Sequence, residues 1–190
     1  AAFLFSAMRL VGSGFLVAMK CERVAEGVGR RTRQTYNPHR VVHSMKNVNK
    51  SVLIWYSPEE MYRLVTDVER YPEFLPWCDH GKVIEEDANG MVAEMGITFS
   101  GIRQVFTTRN EHVAGRSVSL RLLKGPFSRL DGGWHFVPIG DGSQRACRVE
   151  LRMDYGFDNR ALAAVVGPVF DKIAASLVDA FVKRAEQVYG

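Results

Sequence analysis

Apolar and polar side chains alternate along six segments between residues 79 and 156, and glycine-containing turns separate these segments. Alternation with a period of two is typical of β-strands that bury one face. Asn89-Gly90 and Ser100-Gly101 are two of the turn sequences. The predicted strands occupy residues 79–87, 91–99, 102–111, 116–123, 128–139 and 144–156. Tight turns at this spacing predict an antiparallel meander.

The apolar pattern becomes helical after residue 158. Asn159 can cap a helix start, and the sequence up to residue 189 predicts one long helix. Gly167-Pro168 is expected to kink or restart it. An apolar stripe recurs in steps of three, four and seven residues, at Leu162, Val166, Phe170, Ile173, Leu177, Phe181 and Val188.

Two further elements precede the meander. Residues 46–56 are rich in β-branched and aromatic side chains and predict a first strand. Ser57 and Glu60 then form a capping-box pattern around Pro58, which predicts a helix start. The next segment, YPEFLPWC at 71–78, holds two prolines, so it predicts only a short, irregular helical piece.

The order of these elements predicts an α+β fold of the helix-grip type, and another α+β sheet is the alternative that periodicity leaves open. Seven curved antiparallel strands would surround the long C-terminal helix, and two short helices would follow the first strand. A curved sheet and a crossing helix leave space between them. We therefore expect the YPEFLPWC segment to form a lid or wall of an internal cavity.

The positive charge lies mainly in the first 44 residues. This stretch holds seven Lys or Arg and two Asp or Glu, whereas residues 45–190 hold 18 and 19. We expect residues 1–44 to be a disordered leader upstream of a true start at Met45, and residues 45–190 to be the ligand-binding domain. A transit peptide and a secretory signal are the alternatives. Three cysteines without metal-type spacing favour a reducing compartment.

Five motifs in the predicted domain occur in the order and spacing of one family: YPEFLPWC, FTTRN (106–110), GPFSRLDGGWHF (125–136), ACRVE (146–150) and RAEQVY (184–189). Over residues 47–189 the chain resembles the START-like coenzyme Q-binding family, also grouped with polyketide cyclases/dehydrases. Within the family it is most similar to bacterial ribosome-association toxins. Pro168 departs from the family pattern.

The resemblance implies two functions of different classes. The first is non-enzymatic binding of a polyprenyl quinone such as ubiquinone in the cavity, in support of respiration. The second is binding of the large ribosomal subunit, which would block its association with the small subunit. We expect the first, with no required cofactor, in a monomeric bacterial cytoplasmic protein. Transient contact with the inner membrane surface is an open alternative, and no DNA contact is expected.

A long apolar ligand would be held by burial of apolar area, about 25 cal/mol per Å². We expect the cavity wall to consist of aromatic and aliphatic side chains from the irregular segment, the strands and the long helix. The predicted cavity residues are Tyr71, Phe74, Leu75, Trp77, Phe106, Phe127, Trp134, Phe136, Phe170 and Leu177. For the paired Gly132-Gly133 the pattern favours a bulge that bends the sheet, with a close ligand contact as the alternative.

No catalytic constellation is predicted. His80, His112 and His135 lack metal-ligand spacing, and Asp79 and His80 should point to opposite faces of an extended strand. Cys78 is in an apolar setting, where a depressed pKa is not expected. A polyketide cyclase-type enzyme that uses Tyr155 or Arg109 is the remaining enzyme alternative.

Basic residues are concentrated in the strands between residues 103 and 152. This stretch contains nine Lys or Arg and four Asp or Glu. An ordinary solvated sheet face with cross-strand ion pairs explains this pattern. The functional alternative is a basic face that contacts ribosomal RNA or a phospholipid surface, formed by Arg103, Arg116, Arg121, Lys124 and Arg129.

Overall fold

A computed structural model describes residues 45–99 and 101–190. The predicted leader, residues 1–44, lies outside the described residues. The described strands form one antiparallel sheet of seven strands in the order β1-β7-β6-β5-β4-β3-β2. They are β1 Lys46–Ile54, β2 Cys78–Asp87, β3 Gly90–Phe99, β4 Ile102–Val113, β5 Ser117–Lys124, β6 Phe127–Pro138 and β7 Cys147–Phe157.

Two short helices, α1 (Pro58–Thr66) and α2 (Tyr71–Phe74), follow β1 and are joined by a 3₁₀ turn at Val68–Arg70. The predicted capping box is present: the Ser57 backbone N–H donates to Glu60 Oε2 at 2.7 Å, and the Glu60 N–H donates to Ser57 Oγ at 3.2 Å. Pro58 occupies the first helical turn, where its missing N–H has no cost. The predicted helix-grip fold is confirmed.

The long helix α3 spans Arg160–Tyr189, and the Asn159 side chain accepts the Leu162 N–H at its start. The helix continues through Gly167 and Pro168, so the predicted restart does not occur. Gly167 is buried in this turn, next to the Phe157 ring.

Length and hydropathy alone would allow α3 to span a membrane, the only described helix of which this is true. Its apolar side instead packs on the sheet. The buried residues recur at helical spacing and are Gly167, Phe170, Ile173, Ala174, Val178, Phe181 and Ala185. We therefore interpret α3 as the core helix of the domain.

Gly132 and Gly133 do not form the predicted bulge. The register of β6 with β7 is unbroken from Arg129 to Pro138. A Cβ on Gly132 would lie 2.1 Å from the Arg152 carbonyl oxygen, and one on Gly133 would lie 2.5 Å from the Val118 carbonyl oxygen. The paired glycines therefore allow β5 and β7 to approach β6 closely, and neither lines the cavity.

Candidate functional site

An internal cavity of about 100 Å³ lies between the inner face of the sheet and α3. Strands β3 to β7 form its floor, and Phe170, Ile173 and Leu177 of α3 form its roof. Val65 of α1 and Val68 of the 3₁₀ turn close one end. The cavity is where the helix-grip arrangement predicts it.

The YPEFLPWC segment forms part of the cavity wall, as expected for a lid. Tyr71 and Leu75 are buried there, and the Tyr71 hydroxyl donates to the Val65 carbonyl oxygen at 2.6 Å. This hydrogen bond fixes the irregular segment to the end of α1. Seven predicted cavity residues line the space: Tyr71, Leu75, Trp77, Phe106, Trp134, Phe170 and Leu177.

The other three predicted residues lie elsewhere. The Phe74 ring packs behind the wall, 5.1 Å from the Phe181 ring. Phe136 packs edge-on against Tyr62 of α1, with ring centroids 6.4 Å apart. Phe127 lies behind Phe106, at 5.5 Å between ring centroids, and lines a separate recess of about 20 Å³ near the β5–β6 turn.

Two polar side chains in the cavity wall were missed from the sequence. Thr108 and Asn110 lie on the inner face of β4 and are 5% and 9% exposed. The signal was present in FTTRN, because alternation places Thr108 and Asn110 on the same face as Phe106. Polar residues on the apolar face of a strand are unusual and indicate a polar feature inside the core.

The cavity is poorly equipped for acid–base or nucleophilic chemistry. Tyr71 is the only titratable residue among those that line it. Burial raises the Tyr71 pKa far above its usual value, and its hydroxyl is already engaged with Val65. A wall of this kind can bind an apolar molecule, but it offers no base, acid or activated nucleophile.

The two residues considered for a cyclase are not among the described residues that line the cavity. The Tyr155 hydroxyl donates to Asp171 of α3. Burial is the larger cause of the raised Tyr155 pKa, and the Asp171 carboxylate is the second. Arg109 lies on the outer face of β4 and makes two hydrogen bonds to Asp87, at 2.9 and 2.8 Å.

The prediction that Asp79 and His80 point apart is wrong. His80 Nδ1 lies 2.9 Å from Asp79 Oδ1, because the pairing of β2 with β3 shifts between Cys78 and His80 and places both side chains on the outer side. Arg103 and Thr98 also donate to Asp79. The Arg103 hydrogen bond is the main cause that holds the Asp79 pKa well below its usual value.

Both described cysteines are buried and free. Burial raises the pKa of Cys78 to about 11 and that of Cys147 to about 11. A thiol with a raised pKa is almost entirely protonated near neutral pH and is a poor nucleophile. These two cysteines are therefore packing residues.

The predicted basic face is less charged than its composition suggests. Six of the nine Lys or Arg between residues 103 and 152 form ion pairs: Arg103 with Asp79, Arg109 with Asp87, Arg129 with Asp131, Arg145 with Glu60, and Arg148 and Arg152 with Glu150. Within the described chain, no ion pair involves the other three. These three are Arg116, Arg121 and Lys124.

Arg116, in the turn before β5, and Arg121 and Lys124, on β5, are exposed, and we call these three the β5 cations. Arg116 and Lys124 are eight positions apart along the chain, so the three span no more than about 26–29 Å. Arg103 and Arg129 do not add free charges to this group, because each is held by an aspartate. The five predicted residues are therefore three cations without an ion pair among the described residues and two arginines paired with aspartates.

Comparison with known proteins places the fold in a family. A family model described as "Polyketide cyclase / dehydrase and lipid transport" matches residues 54–182. The chain is 42% identical over 146 residues to the ribosome association toxin RatA of Vibrio cholerae, which covers 77% of this chain and 99% of that protein.

A more distant relative is the mitochondrial coenzyme Q-binding protein COQ10 homolog B of Xenopus laevis. It is 26% identical over 143 residues, or 75% of this chain and 59% of that protein. Among solved structures, an aromatase/cyclase from a Streptomyces species superposes with a TM-score of 0.62 at 18% identity, covering 76% of this chain and 95% of that one. At this identity the likeness shows the fold alone.

Proposed function

Because the chain belongs to the polyketide cyclase/dehydrase and lipid transport family, we propose that it is a binding protein of the RatA type. In this proposal it binds the large ribosomal subunit and opposes association with the small subunit, without catalysing a reaction. It would act in the bacterial cytoplasm. The observation that carries the proposal is the 42% identity to a ribosome association toxin over 99% of that protein's length.

The same comparison reverses the order of functions that we expected from the sequence. The coenzyme Q-binding relative is 26% identical, and only 59% of its length is matched. A common fold does not transfer a ligand or a partner by itself. Similarity over the whole length of the relative therefore favours ribosome binding over quinone binding.

The β5 cations provide a surface that suits ribosomal RNA. Phosphate oxygens are attracted to exposed Arg and Lys whose charge is not already neutralised, and such binding weakens as salt rises. Arg116, Arg121 and Lys124 meet this condition in the described chain. Arg121 lies beside Arg109 in the register of β4 with β5, but Arg109 is paired with Asp87 and adds no free charge there.

Co-sedimentation of the purified 190-residue chain with isolated large subunits tests the proposal. The double variant Arg116→Glu/Arg121→Glu should lose most binding at low salt, because each reversal replaces attraction to phosphate with repulsion. Lys172→Glu/Lys183→Glu is a matched control, since these exposed lysines lie on α3 and undergo the same change in charge.

The proposed contact requires a difference between the two double variants. The α3 control should bind like the unmodified chain, and binding of the unmodified chain should weaken as salt increases. Equal binding of both double variants would show that the β5 cations are not part of the interface. If the unmodified chain does not co-sediment with either ribosomal subunit, the proposed function is rejected.

A second candidate function, binding of an apolar ligand, is favoured by the cavity. Its volume of about 100 Å³ is below the roughly 300–1,000 Å³ usual for pockets that hold a drug-sized ligand. A single ring can enter such a space, whereas a polyprenyl quinone would require the cavity to expand. The apolar wall supports an apolar ligand class, and its size argues against a long one bound in this conformation.

Mass spectrometry of a solvent extract tests this second function. The chain would be purified without detergent from a host that makes ubiquinone, and its extract would be compared with that of Trp134→Ala. A stoichiometric apolar compound that is lost in the variant would support cavity binding. An empty extract, together with no uptake of quinone on titration, would reject it.

A further inference from the structure

We propose that Trp55 stacks on an unpaired base of ribosomal RNA, beside a phosphate contact made by Arg116. This inference deepens the proposed function and rests on it, because it names what the ribosome-binding surface recognises. Trp55 directly follows strand β1. It is 78% exposed, which is the largest exposure among the described large apolar side chains.

Trp55 belongs to a small apolar patch at one end of the sheet. Leu53 of β1 and Val137 of β6 are 66% and 37% exposed. Both lie beside Arg148 of β7 in the strand register, so these three side chains share one face of the sheet. Ile54 lies between Leu53 and Trp55 and is buried, whereas both of its neighbours are exposed. We call Leu53, Trp55 and Val137 the β1 patch.

A cation without an ion pair in the described chain lies close to the β1 patch. The Arg116 carbonyl oxygen accepts a hydrogen bond from the Phe136 backbone N–H at 2.8 Å, which places Arg116 next to Val137. Three strand spacings separate β1 from β5, or about 14 Å. Glu59 of α1 lies beside the same turn, but it is paired with Arg63 at 3.2 Å. Arg116 is therefore available to a phosphate near the patch.

The size and composition of this surface favour RNA over a protein partner. A stable protein interface buries about 800 Å² on each partner and involves about 20–30 residues a side, whereas the β1 patch has three apolar side chains. One aromatic ring beside one cation can instead hold a single nucleotide. Stacking requires only the π-face that every base has, and arginine attracts phosphate oxygens. Proteins recognise unpaired RNA bases on aromatic side chains in this way.

Co-sedimentation of the full 190-residue chain with isolated large subunits tests the inference. Trp55→Ala should weaken binding about tenfold, the loss expected for one stacked base. Trp55→Phe should retain most of the affinity, because its ring can stack. Trp55→Leu should bind as weakly as Trp55→Ala, because leucine keeps apolar area but has no π-face.

Ile84→Ala is the matched control. Ile84 is an exposed apolar residue, at 53%, on β2 at the opposite edge of the sheet. Its replacement should leave binding to the large subunit unchanged. The urea midpoints of the Trp55 variants should also match that of the unmodified chain, because the side chain is exposed. Even if Trp55→Ala is less stable, the comparison of Trp55→Leu with Trp55→Phe decides the inference, since both keep a large apolar side chain.

The dependence on salt separates stacking from the phosphate contact. Trp55→Ala removes no positive charge, so the slope of log binding constant against log salt concentration should equal that of the unmodified chain. Arg116→Gln should reduce this slope by about 0.7, the value for one phosphate of a single strand.

The outcomes distinguish the stacking contact from the proposed function. If the unmodified chain does not bind large subunits, the proposed function fails and this inference fails with it. If the unmodified chain binds and Trp55→Ala binds equally well, only the stacking contact is overturned. Recovery of binding in Trp55→Leu would indicate an apolar contact with a protein and would also overturn base stacking.

Discussion

The inner and outer faces of the sheet are built from the same strands but differ in what they can bind. On β4, Phe106, Thr108 and Asn110 point inward to the cavity, whereas Arg103 and Arg109 point outward and pair with aspartates of β2. The inner face is apolar with one unsatisfied amide oxygen. On the outer face, Arg121 and Lys124 form no ion pair with a described residue, unlike Arg103 and Arg109.

This difference shows how one fold can carry two unrelated binding functions. A ligand in the cavity is recognised by burial and shape, and a ribosomal RNA surface is recognised by charge. Substitutions on the inner face should therefore change stability or ligand binding. Substitutions on the outer face should change ribosome binding alone.

The largest effect is expected at the centre of the inner face. Phe181 is 1% exposed, and its ring lies 5.3 Å from that of Tyr71, 5.1 Å from that of Phe74 and 5.0 Å from that of Trp134. Phe181→Ala should lower the free energy of unfolding by about 3–5 kcal/mol, because it removes a buried ring and leaves a cavity. Urea denaturation measures this change.

Lys183→Ala is the matched control on the same helix, since its side chain is exposed. It should change the free energy of unfolding by less than about 0.5 kcal/mol. A loss below about 1 kcal/mol for Phe181→Ala would mean that α3 is not packed on the short helices and the sheet as described.

A smaller, pH-dependent effect is expected at His112, beyond the end of the cavity on the inner face of β4. The His112 ring packs edge-on against the Tyr62 ring, with centroids 5.9 Å apart. Its Nε2 atom has no hydrogen-bond partner among the described residues, and burial lowers the His112 pKa below 6.5. Below this pH the unfolded chain takes up a proton that the folded protein resists. The stability of the folded state should therefore decrease between pH 7.5 and 5.5.

His112→Phe keeps an aromatic ring beside Tyr62 and removes the titrating group. Its urea midpoint should decrease less over the same pH range than that of the unmodified chain. Equal pH dependence of the two proteins would show that His112 is not the group responsible.

The smallest effect on stability is expected on the outer face. Arg116 and Arg121 are exposed and form no ion pair with a described residue, so their reversal to Glu should change the free energy of unfolding by less than about 0.5 kcal/mol each. Thermal denaturation checks this expectation. A larger loss would mean that these residues support the sheet, and any binding defect would then have a structural cause.

The sequence predicted the fold well because its strongest signals are local. The period-two segments and the capping box at Ser57 and Glu60 depend on neighbouring residues and appear where expected. The apolar stripe of α3 is confirmed only in part, because Phe170, Ile173 and Phe181 are buried whereas Val188 is exposed. The predicted bulge at Gly132 was wrong. Glycine pairs indicate a close approach but do not say whether a bulge or a neighbouring strand causes it.

The site was less predictable from the sequence, because its contacts depend on how the strands pair and in which register. The contact of Asp79 with His80 follows from a register shift that adjacent residues do not reveal. The ion pairs of Arg103 and Arg109 join strands that are far apart in sequence, so counting charges overestimated the basic face. Asn110 could have been found, because it continues the inward-facing pattern of Phe106 and Thr108.

The central claim is that the β5 cations act on ribosomes without help from the cavity. Sucrose-gradient sedimentation of ribosomes with added protein tests it most directly, by the ratio of associated ribosomes to free subunits. The unmodified chain and Ala174→Leu, which fills cavity space, should lower this ratio, and Arg116→Glu/Arg121→Glu should not. An unchanged ratio with the unmodified chain, or equal activity of the outer-face variant, would contradict the claim.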